Sequence, residues 1–219
     1  MFFGAGGLYF NKPPAQYSIL NDLDDDVYNL WRVYQTDCDK LLDELKATPK
    51  SNSIFKYFRK NVPTDLIKKA VRFLILSNFG YMGKDSTLMF GCGNPTKSII
   101  ERSLVKFAEG SSFMCEDFRN VLKKINKRDL NKSAFIYADP PYLATTNNYQ
   151  HSFKQQDMED LFELLVNSNC NFAISEFDNP IVLDLAAKYT LNVIIIGERQ
   201  NLKNRRTEIL ITNYDLNAI

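Results

Sequence analysis

Histidine is almost missing from this chain of 219 residues, with His151 as its one example. A Ser–His nucleophile pair would have a single imidazole to draw on, and a histidine-built metal centre would have none to spare, so neither is expected. Cys38, Cys92, Cys115 and Cys170 lie far apart and form no C-x-x-C pair, which argues against a zinc site or a redox couple. Scattered thiols without a signal sequence suit a reducing cytosol, and a cytoplasmic location is the expectation. No apolar run approaches the roughly 20 residues of a membrane span, so no membrane partner is expected. Repeats and low-complexity segments are missing too. Net charge is only +1, so overall charge does not announce a nucleic-acid binder.

What is present is an ordinary globular composition, 45% hydrophobic and 24% charged, long enough for one domain with a real core and an inserted subdomain. Charge is unevenly placed. From Asp22 to Glu44 acids dominate (Asp22, Asp24, Asp25, Asp26, Asp37, Asp39, Asp43, Glu44). From Lys46 to Arg72 the sign reverses, with Lys46, Lys50, Lys56, Arg59, Lys60, Lys68, Lys69 and Arg72 against Asp65. Solvated helix faces produce some of this pattern, and a basic block in a neutral chain is also the footprint of a phosphate-contacting face.

The most specific stretch is Ala134-Phe135-Ile136-Tyr137-Ala138-Asp139-Pro140-Pro141-Tyr142. Its apolar start suits a buried strand, and the proline pair, which cannot donate to a ladder, ends it. Asp139 thus falls at the carboxyl end of a strand, where open α/β sheets place their ligands. A carboxylate, a stiff turn offering carbonyls without N–H donors, and a large ring suit an exocyclic amine on a flat heterocycle. The amino group of adenine is a poor nucleophile because its lone pair is delocalised into the ring. Acceptors on both N–H groups, the Asp139 carboxylate and the Pro140 carbonyl, would draw the nitrogen toward a tetrahedral geometry and free that lone pair. Pro141 stiffens the turn, and Tyr142 can stack on a base taken out of the duplex. Asp-Pro-Pro is elsewhere a plain turn punctuator, so the remainder of the chain has to decide.

Gly4, Gly6 and Gly7 form a glycine turn ahead of a helix start at Leu8-Tyr9-Phe10. Gln16 to Asp22 reads as a short strand ending in an acid, roughly 20 residues after the glycines, the place of a ribose-binding carboxylate in nucleotide-binding α/β folds; Asn21 or Asp22 also suits a helix cap. Helical spacing runs from about Leu23 to Lys46, and shorter helices are expected at Ile54–Arg59 and from Thr64 to about Leu76. Asn78 to Gly93 is a glycine- and aromatic-rich loop or hairpin, and Lys97 to Ala108 an amphipathic helix. Phe113 to Asp117 reads as a strand with acids at its end, followed by a helix from Phe118 to Lys127. After a polar loop from Asn147 to Lys154 come helix Asp157–Asn167, strand Asn171–Ser175, helix Asn179–Lys188 and strand Asn192–Ile196. A basic loop at Asn201–Arg206 and strand Thr207–Asn213 close the chain. Alternating strands and helices predict an α/β fold with a mostly parallel sheet.

Taken together, the motifs resemble the Dam-like, D12-class DNA adenine N6-methyltransferases. Phe2-Phe3-Gly4-Ala5-Gly6 resembles the family's F-x-G-x-G turn, which wraps the methionine moiety of S-adenosylmethionine, and so assigns Phe3, Gly4, Ala5 and Gly6 to the cofactor. Ile19-Leu20-Asn21-Asp22 is similar to the motif whose acid, here Asp22, holds the cofactor ribose. Cys115-Glu116-Asp117-Phe118 is similar to the D-F segment at the cofactor's adenine, implying Asp117 and Phe118. Asp139-Pro140-Pro141-Tyr142 matches the catalytic DPPY, with Asp139 also facing the cofactor, and Thr207 to Tyr214 resembles the closing strand, E-x-L-I-T-N. The implied fold is an α/β S-adenosylmethionine-dependent methyltransferase (Rossmann-like), mostly parallel sheet over 1–44 and 97–219, with a helical target-recognition insertion over 45–96.

The implied activity is transfer of a methyl group from S-adenosylmethionine to N6 of a flipped adenine in double-stranded DNA, as in restriction–modification. Lys56, Arg59, Lys60 and Lys84, from the basic block and the aromatic-glycine loop, are the expected DNA contacts. Other readings on the same scaffold are a non-catalytic DNA-binding or partner subunit, and amino methylation of RNA or protein. Two features depart from the family pattern. Phe79-Gly80-Tyr81-Met82-Gly83-Lys84 matches the recognition hairpin only loosely. The strand and the K-W-x-G-G-K-like segment usual before the glycines do not precede Phe2. The expectation drawn from that start is weak or absent cofactor binding by this chain alone, restored by a second polypeptide completing the cofactor site or by a segment lost from the open reading frame.

Overall fold

The structure, a computed structural model, describes residues 1–79, 110–127, 134–143, 153–200 and 205–215. The chain divides into two compact units, one formed by Gly4–Cys115 and the other by Met1–Phe3 with Glu116–Ile219.

In the Gly4–Cys115 unit, α1 (Gly7–Asn11) and β1 (Ser18–Asn21) precede α2 (Asp25–Thr36) and α3 (Cys38–Ala47). Asp24 starts α2, its carboxylate accepting from the N–H of Asp26 at 2.8 Å and of Val27 at 3.4 Å, so two helix-end donors are satisfied. The helix buries Val27, Leu30, Trp31, Val33 and Tyr34 along one face. The continuous helix expected from 23 to 46 is broken at Asp37, where φ is −138°. The Asp37 carboxylate takes bonds from Thr36 Oγ1 at 2.9 Å and Lys40 Nζ at 2.6 Å, a local alternative to the helical ladder. Apolar spacing runs through the break and so hides it.

Next come α4 (Asn52–Lys60), capped by Ser51 Oγ on the N–H of Ile54 at 3.2 Å, and α5 (Leu66–Phe79). They bury Phe55, Phe58, Ala70, Val71, Leu74 and Ile75. The acidic and basic blocks of the sequence meet partly here: Lys69 pairs with Asp25, and Arg72 with Asp26 at 3.2 Å. Part of the sign reversal along the chain is thus internal to this unit. Strand β2 (Ser111–Met114) pairs in parallel with β1, Leu20 opposite Phe113.

The other unit begins with α6 (Phe118–Asn126), capped by Asp117, and continues with β3 (Phe135–Ala138), α7 (Gln155–Val166), β4 (Asn171–Phe177), α8 (Pro180–Lys188), β5 (Asn192–Gln200) and β6 (Arg205–Thr212). The strand order is β3-β4-β6-β5. β3 and β4 are parallel, and β6 runs antiparallel to both β4 and β5, so β3, β4 and β5 share one direction and β6 alone reverses. Met158, Leu161, Phe162 and Leu165 on α7 are fully buried, as are Phe172 and Ile174 on β4, and Ala173 and Ser175 on the opposite face of β4 are buried too, the pattern of a strand covered on both faces. The Met1 amino group donates to the carbonyl of Tyr137 at 2.9 Å.

β5 and β6 are longer than their apolar runs. The two strands pair out to Gln200 and Arg205 through a register shift between Ile195 and Gly197. Arg205 and Arg206, expected in a basic loop, therefore belong to β6. A two-stranded ribbon can carry polar residues on both faces, which leaves no hydrophobic alternation to read. Residues 80–93 of the loop or hairpin expected at Asn78–Gly93, the helix expected from Lys97 to Ala108 and residues 147–152 of the loop expected at Asn147–Lys154 lie outside the described residues. Among the described residues no helix is long and apolar enough to cross a membrane.

Candidate active site

The topology brings three strands to one edge. Parallel β3 ends at Ala138 opposite Ile174, β4 continues to Phe177, and Glu208 of β6 stands opposite Phe177. Asp139 thus stands, exposed, at the carboxyl edge of the sheet, while Pro140 is buried and Pro141 and Tyr142 are half-buried. Ala138, wholly buried, anchors the strand beneath it.

Tyr142 is held from two sides. Its ring meets Phe177 edge to face with centroids 4.6 Å apart. Its hydroxyl donates to Glu208 Oε1 at 3.0 Å and lies 2.9 Å from Ser175 Oγ. Arg206 stacks over the Phe177 ring at 5.3 Å. Burial pushes the Tyr142 phenol well above its ordinary pKa, opposed by the Ser175 bond and reinforced by the charges of Asp139 and Glu208. The phenol therefore stays protonated and serves as a fixed donor.

Behind this turn lies a carboxylate that the sequence did not single out. Glu176 has no exposed surface. Its Oε2 accepts from the N–H of Leu143, the residue after Tyr142, at 3.1 Å, and its Oε1 from the N–H of Phe177 at 2.8 Å. Burial raises its pKa from 4.5 to about 7 against the pull of those two N–H groups; Asp139 raises it further and Arg206 lowers it. The folded protein thus holds this proton more tightly than the unfolded chain. Stability should be greatest below the unfolded value and decline as pH rises from about 4.5 to about 7, by on the order of 3 kcal/mol from this group. Urea denaturation at stepped pH should show that decline in the native chain and a flatter profile in Glu176→Gln; equal slopes would contradict it.

The residues assigned to the cofactor are distributed over both units. In the Gly4–Cys115 unit, Gly4 and Gly6 have φ of 50° and 69°, the left-handed region that glycine enters without strain. Asp22 follows β1 and fixes this turn, its Oδ2 accepting from the N–H of Gly4 at 2.7 Å and its Oδ1 from that of Asp24 at 3.0 Å. Trp31 Nε1 donates to the Gly4 carbonyl at 2.8 Å. Ala5 is exposed in the same turn. A Cβ at Gly4 would meet nothing within 4 Å, so the glycine serves backbone conformation and leaves open space beside the turn. Left-handed glycines next to a carboxylate at a strand end fit the methionine and ribose portions of a nucleoside cofactor.

In the other unit, half-buried Phe3 follows Phe2, and the Phe2 ring packs on buried Phe118 at 5.6 Å and on Phe153 at 5.7 Å. Asp117 accepts from the N–H of Arg119 at 2.8 Å, capping α6. Arg119 binds Asp117, Asp157 and Asp160 at 3.2, 2.5 and 2.6 Å and stacks on Phe118 at 4.5 Å. The Asp117-Phe118 segment is thereby set by an ion-pair cluster that motif reading does not reveal, because its members lie 38 and 41 residues apart along the chain.

Of the expected DNA contacts, Lys56, Arg59 and Lys60 are exposed along α4, and Lys84 lies outside the described residues.

Comparison with known proteins adds three findings. The family model described as D12 class N6 adenine-specific DNA methyltransferase matches residues 1–88 and 93–209. The chain is 26% identical over 217 residues to a DNA adenine methylase of Salmonella typhi, covering 88% of this chain and 76% of that protein. It is 23% identical over 248 residues to a type II methyltransferase of Lactococcus lactis subsp. cremoris, covering 97% of this chain and 84% of that one.

Proposed function

Because the chain belongs to the D12 class of N6 adenine-specific DNA methyltransferases, and so is a DNA adenine methyltransferase, we propose that the edge built by Asp139, Pro140 and Tyr142 transfers a methyl group from S-adenosylmethionine to N6 of an adenine flipped out of double-stranded DNA. The observation that carries this reading is an exposed carboxylate followed by two prolines at a strand's carboxyl end, with the next aromatic ring locked in place.

Asp139 accepts one N6 hydrogen and the Pro140 carbonyl the other, which localises the nitrogen lone pair. Tyr142 stacks on the base; such stacking is worth about 1–3 kcal/mol and offsets much of the cost of extrusion. When bound, S-adenosylmethionine would supply an electrophilic methyl group with a neutral thioether as leaving group, and the nitrogen that accepts the methyl would give up one proton. Asp139 receives that proton. No covalent intermediate with the protein is needed. Gly4, Ala5, Gly6 and Phe3 are assigned to the methionine portion of the cofactor, Asp22 to its ribose and Asp117 with Phe118 to its adenine. The fold assigned to residues 1–44 and 97–219 is the mostly parallel methyltransferase sheet, and residues 45–96 are the recognition insertion.

The test is transfer of labelled methyl from S-adenosylmethionine to DNA, with nucleoside analysis of the product. Label in N6-methyladenine supports the reading, and label only in RNA or protein sinks it. On the DNA side, Lys56, Arg59 and Lys60 are assigned to phosphates. Each phosphate contact removed should reduce the log–log salt slope of binding by about 0.9. A triple glutamine variant with unchanged slope and affinity would show that DNA binds elsewhere.

A further inference from the structure

The turn that carries Asp139 and Tyr142 is held at its far end by a buried carboxylate. We propose that Glu176 is a positioning residue for methyl transfer: through its bond to the Leu143 N–H it sets the course of the chain from Asp139 to Tyr142. This rests on the function proposed above.

The geometry is specific. Two prolines deprive the turn of backbone donors, so the N–H groups of Tyr142 and Leu143 are the first after Asp139 that can tether it. That of Leu143 ends on Glu176 Oε2 at 3.1 Å, and the other oxygen of the same carboxylate is tied at 2.8 Å to the N–H of Phe177. Phe177 in turn carries the ring against which Tyr142 packs, at 4.6 Å. One side chain on β4 therefore fixes both the backbone leaving Tyr142 and the backbone of the residue that supports its ring. Leu143 is itself buried, 6% exposed, so an unpaired N–H there could not turn to water.

A neutral apolar residue would fill the space at Glu176 with less desolvation cost. A carboxylate is the group that can accept from two N–H donors at once. A glutamine offers one good acceptor and turns an NH₂ toward the second donor. The charged groups facing Glu176 are Asp139 at the end of β3 and Arg206 on β6. Across the ladder Glu176 stands opposite Ile209, whereas Glu208, which accepts from the Tyr142 phenol, stands opposite Phe177. Loss of the Glu176 charge weakens the acceptor facing Leu143, so the tether tightens as pH rises through neutrality.

The experiment compares the full chain with Glu176→Gln and Glu176→Ala. It measures kcat and KM on DNA, S-adenosylmethionine affinity by calorimetry, and amide exchange at Leu143 by NMR. The expected result for Glu176→Gln is a fall in kcat of about tenfold, within the roughly 10²-fold that a 1 Å misplacement costs. KM for DNA and cofactor affinity should move much less. The acid limb of the native kcat profile should flatten, and Leu143 exchange should accelerate. In the native chain, Leu143 protection against local opening, corrected for intrinsic exchange and for the fall in global stability with pH, should rise over the same pH range as kcat, a readout that holds even if the variants fail to fold. Native kcat with a native pH profile in Glu176→Gln overturns the proposal, as does a Leu143 amide whose protection ignores both the substitution and pH. If the native chain methylates nothing, the function reading fails separately, and Leu143 exchange still decides whether the anchor exists.

Discussion

Replacing Asp139 by alanine is expected to lower methyl transfer to adenine by at least about 10²–10³-fold, the scale of losing one preorganised polar group at a reacting centre. Asp139 stands exposed at the end of β3, whereas Ala138 before it is wholly buried and Pro140 after it is buried. The backbone is fixed by those neighbours and the carboxylate is not part of the core. The variant should therefore keep its cooperative unfolding transition and bind DNA with little change. Loss of its negative charge near Glu176, where Asp139 now raises the pKa, should also move the Glu176 titration to lower pH. Steady-state methylation and chemical denaturation, run side by side, separate the outcomes. An alanine variant with native kcat removes Asp139 from the mechanism. A variant that no longer folds makes it a structural residue instead.

The second large effect is expected at Tyr142. Alanine there removes the ring proposed to hold the extruded base, and stacking worth about 1–3 kcal/mol per base corresponds to roughly fivefold to hundredfold in kcat/KM. Phenylalanine keeps the ring and its contact with Phe177 while losing the hydroxyl bonds to Glu208 and Ser175, so its loss should be several times smaller. Fluorescence of 2-aminopurine at the target position reports base extrusion independently of chemistry. It should fall with Tyr142→Ala and persist with Tyr142→Phe. Equal losses in both variants would mean that the hydroxyl, not the ring, carries the effect, and no loss in either would end the clamp assignment.

Local signals in the sequence were strong where a residue type admits few backbone solutions. The proline pair ends β3 where it must, Asn179 before Pro180 starts α8, and the left-handed Gly4 and Gly6 make the turn that their composition implies. Reading failed where partners are distant. The break at Asp37 depends on a side chain competing for hydrogen bonds within an unbroken apolar spacing. The long β5–β6 ribbon has no hydrophobic period. Glu176 falls just past the strand expected at Asn171–Ser175 and belongs to no motif, and local sequence does not reveal that β3, β4 and β6 converge around it. Composition alone leaves the basic block open between solvated helix faces and a phosphate-contacting face, and the pairing of Lys69 and Arg72 with Asp25 and Asp26 separates those two from the exposed cations of α4.

The most direct test of the account incubates the purified chain with saturating S-adenosylmethionine and DNA of high sequence complexity, then digests the DNA and quantifies modified nucleosides by mass spectrometry. N6-methyladenine, formed by the native chain and lost with Asp139→Ala, is the expected result. DNA that binds the chain yet carries no methyladenine, or methylation that persists undiminished without the Asp139 carboxylate, would contradict it.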